Sequence, residues 1–135
     1  MQILFKKLSD SKTNVRIISF GYKFGLPREA DIVFDMRFLS NPFYKKNLKN
    51  FDGKNIKVIN FIKKQEYFDF FFDRLLLLFN NILEGYKKEG KEHITIAFGC
   101  TGGVHRSVVS SDYFLTLIKN NRKLRIIIEH RDIAK

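Results

Sequence analysis

The stretch that most constrains the fold is residues 94–117, where an apolar run leads into a loop of small residues. β-Branched and apolar residues continue up to Phe98, and glycines stand at positions 99, 102 and 103. Apolar residues then recur with the i, i+3, i+4 spacing of a buried helix face, at Val108, Val109, Tyr113, Phe114 and Leu117. The stretch is therefore predicted to be a strand, a tight loop and a helix, which is the repeating unit of parallel α/β sheets.

Three further apolar runs predict strands over residues 15–20, 31–36 and 124–128. Residues 27–30 can form a helical turn, and helices are predicted over residues 56–64, over residues 66–88 and from the loop to about residue 121. Alternation of strands and helices predicts an α/β fold, with a mostly parallel sheet of about four strands flanked by helices. We expect a lead-in over residues 1–14, one domain over residues 15–135, and ligand loops at the carboxyl ends of the strands.

Composition limits the class of protein. A chain of 135 residues is expected to form a single domain, and one cysteine allows no internal disulfide. No zinc-binding pattern, signal peptide or membrane span is visible, so the expected location is the cytoplasm. The net charge of +11 is compatible with RNA, DNA, a membrane surface or an anionic small molecule. The alternative is that lysine only solubilises a phenylalanine-rich chain.

The loop at residues 99–107 is typical of an anion site. It leaves backbone N–H groups near the positive end of a helix dipole, where phosphate binds readily. His105 and Arg106 place side-chain donors beside those groups. The plainer alternative is that Cys100 is a small buried residue and that the glycines only form a tight turn.

Other polar residues follow the remaining predicted strands. Lys23 lies in a loop bracketed by Gly21 and Gly25, and the remaining candidates are Asp35 with Arg37 and His130 with Arg131. Because the carboxyl ends of parallel strands meet at one edge, all of these are predicted to surround one pocket with the anion loop. The alternative for the second strand is that Asp35 caps a turn and Arg37 lies in solvent.

The loop also fits the pattern C-x-x-G-x-x-R-S, and it resembles the phosphate loop of protein tyrosine phosphatases. That resemblance implies a nucleophilic Cys100, a phosphate clamp at Arg106 and a thiolate helper at Ser107. The general acid would be Asp35 or Asp132. The chain departs from that family at Gly99, where a His is common, and the usual acid-loop motif is not visible.

A broader resemblance covers most of the chain. Residues 99–108, G-C-T-G-G-V-H-R-S-V, resemble the signature of the RapZ/YvcJ family. Residues 19–27 (S-F-G-Y-K-F-G-L-P), 31–42 (D-I-V-F-D-M-R-F-L-S-N-P) and 130–132 (H-R-D) are similar to further motifs of its C-terminal domain, in the same order. Several motifs in order are more specific than one loop, so this interpretation is preferred over the phosphatase.

The resemblance implies a bacterial, cytoplasmic regulatory domain that is not an enzyme. In that family a P-loop nucleotide-binding domain precedes this one, whose phosphosugar pocket resembles part of phosphofructokinase. In enterobacteria the domain senses glucosamine-6-phosphate and contributes to RNA binding by an adaptor that delivers a small regulatory RNA to RNase E. The implied partners are an amino-sugar phosphate, RNA, further copies of the same chain and a separate nucleotide-binding partner. No membrane, cofactor or metal is expected.

The site residues follow from these motifs. The predicted anion and phosphosugar ligands are Thr101, Gly102, Gly103, His105, Arg106 and Ser107, with Lys23, Asp35, Arg37, His130 and Arg131 around them. These 135 residues contain neither a G-x-x-x-x-G-K-[ST] loop nor a basic tail. Phe43 stands where many relatives have a His. RNA contact is therefore expected from Lys45, Lys46, Lys49 and Lys54 or from Lys119, Arg122, Lys123 and Arg125.

Overall fold

The computed structural model describes residues 12–135, which form one parallel sheet and three helices. The strands are β1 (Thr13–Gly21), β2 (Ile32–Asp35), β3 (His93–Cys100) and β4 (Leu124–His130). Their order in the sheet is β2-β3-β1-β4, and each neighbouring pair is parallel. The predicted α/β class is confirmed. Most of the predicted lead-in, residues 1–11, falls outside the described part of the chain.

The helices are α1 (Ile56–Lys63), α2 (Glu66–Lys88) and α3 (Arg106–Ile118), and short 3-10 turns cover Tyr22–Phe24 and Pro42–Tyr44. The helix after the glycine loop ends three residues before the predicted boundary. Residues 27–30 form a single turn closed by a hydrogen bond from the Ala30 N–H to the Pro27 carbonyl. Within residues 12–135, no helix combines the length and the apolar composition needed to cross a membrane.

The main core lies on one face of the sheet. Val15 and Ile17 of β1, together with Ile96 and Phe98 of β3, pack against buried residues from all three helices. The opposite face carries a small second cluster of Ile18, Phe20 and Ala97, against which Tyr22 and Ala30 pack. Because side chains alternate between the faces of a strand, this division places the three helices on the same side of the sheet.

The strand register brings the carboxyl ends together. Gly21 at the end of β1 pairs with Cys100 of β3, and Asp35 at the end of β2 pairs with Gly99. On the other side of β1, Ser19 pairs with His130 at the end of β4. The loops that follow all four strands therefore leave from one edge of the sheet, as predicted for a parallel arrangement.

Candidate anion-binding site

The loop after β3 packs its backbone directly against the end of β1. Gly103 has φ +76°, a left-handed conformation that favours glycine, and a Cβ there would lie 2.6 Å from the Gly21 nitrogen. A Cβ on Gly21 would lie 2.4 Å from the carbonyl carbon of Gly102. The glycines therefore permit the loop to lie over β1, with a left-handed turn at one of them.

Arg106, the first residue of α3, is 5% exposed and holds the loop to the segment after β2. Its Nη1 donates to the carbonyl oxygens of Arg37 at 3.2 Å and Leu39 at 3.0 Å, and its Nη2 donates to Oγ1 of Thr101 at 3.3 Å. Its buried Nε has no hydrogen-bond partner among the described residues. A buried guanidinium N–H without a partner costs free energy, which binding of an oxyanion would recover.

His105 stands at the N-cap position of α3 and makes no side-chain capping bond. Its Nε2 instead donates to the carbonyl oxygen of Phe51 at 2.5 Å, and the side chain is largely buried. Burial and the neighbouring Arg106 hold the pKa of His105 below its ordinary value of 6.5, although the bond to Phe51 opposes this shift. His105 is therefore neutral at pH 7 and tethers the loop rather than adding positive charge.

Cys100 and Ser107 lie together beneath the loop. Sγ of Cys100 is 3.1 Å from Oγ of Ser107 and accepts from the Ser107 N–H at 3.4 Å. The thiol is 2% exposed, and Ser107 is fully buried. The contact is the one that the phosphatase resemblance implies, but a nucleophile must be reached by its substrate and this thiol is covered.

Asp35 and Arg37 form a two-point ion pair at the end of β2. Nε and Nη2 of Arg37 donate to the carboxylate oxygens of Asp35 at 2.9 and 2.7 Å, and the guanidinium carbon lies 4.0 Å from the ring centroid of Tyr22. The hydrogen bond from Arg37 holds the pKa of Asp35 below 3.8, and the charge of Arg106 adds to this effect. Asp35 is therefore ionised at pH 7, which is the wrong state for a general acid.

A second ion pair follows β4 and supports β1. Asp132 is fully buried, and its carboxylate accepts from the Gly21 N–H at 2.8 Å and from Nη2 of Arg131 at 2.8 Å. Burial favours the neutral acid, but Arg131, the Gly21 amide and Lys135 together hold the pKa of Asp132 below 3.8. Nη2 of Arg131 also donates to the carbonyl oxygen of Gly25 at 2.6 Å, so this pair connects the loops after β1 and β4.

His130 is part of a polar chain that was not predicted. Its Nε2 donates to Oδ1 of Asp112 on α3 at 2.9 Å, and its Nδ1 lies 2.7 Å from Oγ of Ser19. Oδ2 of Asp112 also binds Nζ of Lys54 at 2.8 Å. Neither Ser19 nor Asp112 is predicted as a site residue: Ser19 begins the motif of residues 19–27 but lies within an apolar strand, and Asp112 lies on a helix. Only the packing of α3 on the sheet brings them together.

Lys23 meets the loop through its backbone. Its N–H donates to the carbonyl oxygen of Thr101 at 3.2 Å, whereas its Nζ lies 5.0 Å from the ring centroid of Phe24. The loop after β1, the segment at Asp35 and Arg37 and the glycine loop are thus in direct contact. Within residues 12–135, no three His, Cys, Asp or Glu side chains are grouped to hold a metal ion.

The predicted RNA residues fall into two groups at opposite ends of the sheet. Lys45, Lys46 and Lys49 lie in the sequence between residues 37–39 and Phe51, and both of these flanking points are bonded to the anion loop. Lys54, the fourth member of this group, follows Phe51 and binds Asp112. Lys119, Arg122, Lys123 and Arg125 surround the start of β4, at the opposite edge. The seven residues of β4 span about 20 Å, so the fold does not bring these two groups together.

Comparison with known proteins is consistent with these motifs. Residues 13–134 match the model of the RapZ C-terminal domain family. The chain is 45% identical over 122 residues to a nucleotide-binding protein of Endomicrobium trichonymphae, covering 90% of this chain and 42% of that protein. It is 43% identical over 122 residues to a nucleotide-binding protein of Halothermothrix orenii, covering 90% and 43%. The chain spans less than half the length of these curated relatives, and it belongs to the RapZ C-terminal domain family.

Proposed function

We propose that the domain is a sensor that binds a phosphorylated small molecule, specifically an amino-sugar phosphate such as glucosamine-6-phosphate, without catalysing a reaction. The observation that carries this proposal is the buried guanidinium of Arg106 at an uncapped helix N-terminus, with Nε unpartnered among the described residues. Phosphate oxygens are the acceptors that such a group and the N–H groups of a helix start accommodate together.

The surrounding charges support a ligand that is both anionic and cationic. Arg37 is paired with Asp35 and Arg131 with Asp132, whereas Arg106 forms no ion pair with a described residue and donates to neutral oxygens. The carboxylate of Asp35 is half-exposed and ionised, and the ammonium group of an amino sugar would share it with Arg37, which already donates to both of its oxygens. Thr101 and the backbone of Gly102 and Gly103 complete the phosphate end of the proposed site.

Isothermal calorimetry tests the proposal with glucosamine-6-phosphate, glucosamine and inorganic phosphate. Glucosamine-6-phosphate is expected to bind, and Thr101→Val and Arg106→Lys are expected to weaken it, because each removes a donor or the two-point geometry of arginine. Lys119→Ala, at the opposite edge of the sheet, is the control and should bind as the unmodified chain does. Equal affinity in all three variants, or no heat with any phosphate compound, contradicts the proposal.

RNA binding is a second function, supported by the distribution of charge. Residues 36–65, called the basic segment below, contain eight lysines and arginines and one aspartate. A segment that neutralises several phosphates should lose affinity steeply with salt. A titration of labelled RNA between 50 and 200 mM KCl is expected to show this loss, and a flat salt response would contradict RNA binding.

Catalysis through Cys100 is the remaining alternative, and its support is the contact between Cys100 and Ser107. The burial of the thiol and the ionised state of Asp35 and Asp132 weigh against it. An assay with an aryl phosphate should show no turnover beyond that of Cys100→Ser. Turnover that this substitution abolishes would establish the phosphatase in place of the sensor.

Assembly and nucleotide binding complete the proposal. The relatives named above are called nucleotide-binding proteins, whereas these 135 residues contain no P-loop motif. We therefore assign P-loop nucleotide binding to a separate domain or partner chain. A second copy of the chain is proposed as the partner of the exposed apolar surface of α2, which lies beside strand β2 at the edge of the sheet.

A further inference from the structure

Two exposed aromatic rings stand side by side in the basic segment. Phe43 is 54% exposed and Tyr44 is 82% exposed, and their ring centroids lie 5.7 Å apart in an edge-to-face arrangement. Rings left this open to water forgo most of the free energy that their burial would supply. The two neighbouring rings therefore offer aromatic surface on which another molecule can stack.

The turn that carries these rings is held in place by its own backbone. Oδ1 of Asn41 accepts from the Phe43 N–H at 3.1 Å, and the Asn41 carbonyl accepts from the Tyr44 N–H at 3.2 Å. Pro42 is buried, and its carbonyl accepts from the Lys45 N–H at 2.9 Å. The rings are therefore presented from a fixed turn, which lowers the entropy lost when a ligand stacks on them.

Lysines surround the rings without neighbouring carboxylates in the sequence. Residues 36–51 contain neither Asp nor Glu, and Lys45, Lys46 and Lys49 are all exposed. Nζ of Lys49 lies 5.9 Å from the ring centroid of Phe43. Proteins that hold single-stranded nucleic acids use this combination, in which bases stack on aromatic rings and basic side chains follow the phosphates.

We propose that Phe43 and Tyr44 form a stacking platform for unpaired RNA nucleotides, with Lys45, Lys46 and Lys49 contacting the flanking phosphates. The inference rests on the RNA binding proposed above and adds that the bound strand is single. Bases inside a duplex are already stacked and cannot reach the rings. A duplex or an acidic protein would need the lysines alone, so the two exposed rings favour a single strand.

Fluorescence provides a direct test, because the chain contains no tryptophan. Tyr44→Trp places a single reporter on the platform, and Tyr67→Trp places one on α2, where the native tyrosine is 61% exposed between Glu66 and Asp69. Titration with a 12-nucleotide RNA should quench the Tyr44→Trp variant and leave the Tyr67→Trp variant unchanged. The same RNA annealed to its complement should quench neither variant.

Affinity measurements separate stacking from charge. Tyr44→Ala is expected to weaken single-strand binding by at least about fivefold while the slope of log affinity against log salt stays unchanged. Lys45→Gln, Lys46→Gln and Lys49→Gln should each reduce that slope by about 0.7. Tyr44→Phe keeps a ring and should restore most of the affinity that Tyr44→Ala loses, whereas Glu89→Gln, at an exposed position at the end of α2, is the control that should bind as the unmodified chain does.

The outcomes distinguish failure of the platform from failure of RNA binding. If no RNA of either form binds at 50 mM KCl, the RNA function itself is overturned, and the platform with it. If RNA binds but Tyr44→Ala has no effect, or if the duplex binds at least as tightly as the single strand, only the platform is overturned. Binding of an acidic polypeptide that equals RNA binding would likewise replace stacking with charge alone.

Discussion

The contact between Gly21 and the glycine loop illustrates how single atoms decide the local structure. Gly21 has no side chain to separate β1 from Gly102, and its own N–H donates to the buried Asp132. Any side chain at this point must push apart two backbones that carry the site. Gly102 lies in the same loop, but a Cβ there would meet nothing within 4 Å.

These two glycines give a matched pair of substitutions. Gly21→Ala is expected to lower the free energy of unfolding by about 1–3 kcal/mol, because its Cβ overlaps the Gly102 backbone. Gly102→Ala should change it by less than about 0.5 kcal/mol. Urea unfolding measures both values, and similar losses in the two variants would contradict the close packing of the loop on β1.

The buried carboxylate of Asp132 predicts a pH-dependent contribution to stability. The pKa of Asp132 in the folded chain lies below its ordinary value of 3.8. The stabilisation that the carboxylate provides is therefore complete above pH 3.8 and is lost as the pH falls through the folded pKa. Asp132→Asn should reduce the free energy of unfolding by about 1–3 kcal/mol at pH 7, because Arg131 and the Gly21 N–H lose a charged acceptor.

Unfolding curves from pH 7 to pH 2 measure this difference. The gap between Asp132→Asn and the unmodified chain should stay constant down to about pH 4–5 and then narrow, because protonation removes the charge that the substitution removes. Glu89→Gln, an exposed carboxylate at the end of α2, is the control and should show no such gap. If the difference in free energy of unfolding between Asp132→Asn and the unmodified chain does not change with pH, the loss of stability comes from altered packing and not from the lost charge.

Helix α2 buries only part of its apolar surface. Its sequence predicts burial on more than one side or contact with a partner subunit, and in the structure Phe68, Phe72, Leu75 and Phe79 are fully or almost fully buried. Phe70 and Leu78 remain about half-exposed and line an apolar groove of about 360 Å³ beside Phe34 and Phe38. This exposed part of the helix is the surface that we propose for a second copy of the chain.

Substitution on that face tests the proposed second copy. Phe70→Glu should shift the chain towards monomer, because it removes an apolar ring from the groove and adds a charge that must lose water on association. Light scattering coupled to size-exclusion chromatography measures the mass, and Asp69→Lys, an exposed position on the same helix, is the control. A monomeric unmodified chain, or a mass that Phe70→Glu leaves unchanged, would contradict assembly through this groove.

Ligand binding should stabilise the whole domain, because the proposed site joins loops from separate strands. Glucosamine-6-phosphate at 100 times its dissociation constant should raise the free energy of unfolding by about 2.7 kcal/mol. For a chain of this size the melting temperature should rise by roughly 5–10 °C. Glucosamine without phosphate should give less, and Thr101→Val should reduce the shift. An equal shift with glucosamine would place the recognition outside the phosphate loop.

The local patterns determined much of the fold and the location of the site. Apolar runs and glycine positions predicted the parallel α/β class, the three helices and the strand-loop-helix unit, because these depend on residues close together in the chain. They also placed Arg106 at the start of α3, where it stands. The motifs at residues 99–108, 19–27, 31–42 and 130–132 identified the family.

Only the tertiary structure decided what the side chains around the glycine loop contact. The pairing of β1 with β4 brings Asp132 to the Gly21 N–H, and the packing of α3 on the sheet brings Asp112 beside His130; these contacts join residues 111 and 18 positions apart. Packing also commits His105 to Phe51 and joins Arg106 to the carbonyl oxygens of Arg37 and Leu39. Local sequence cannot supply this result, because hydrogen bonds between distant segments depend on how the elements pack.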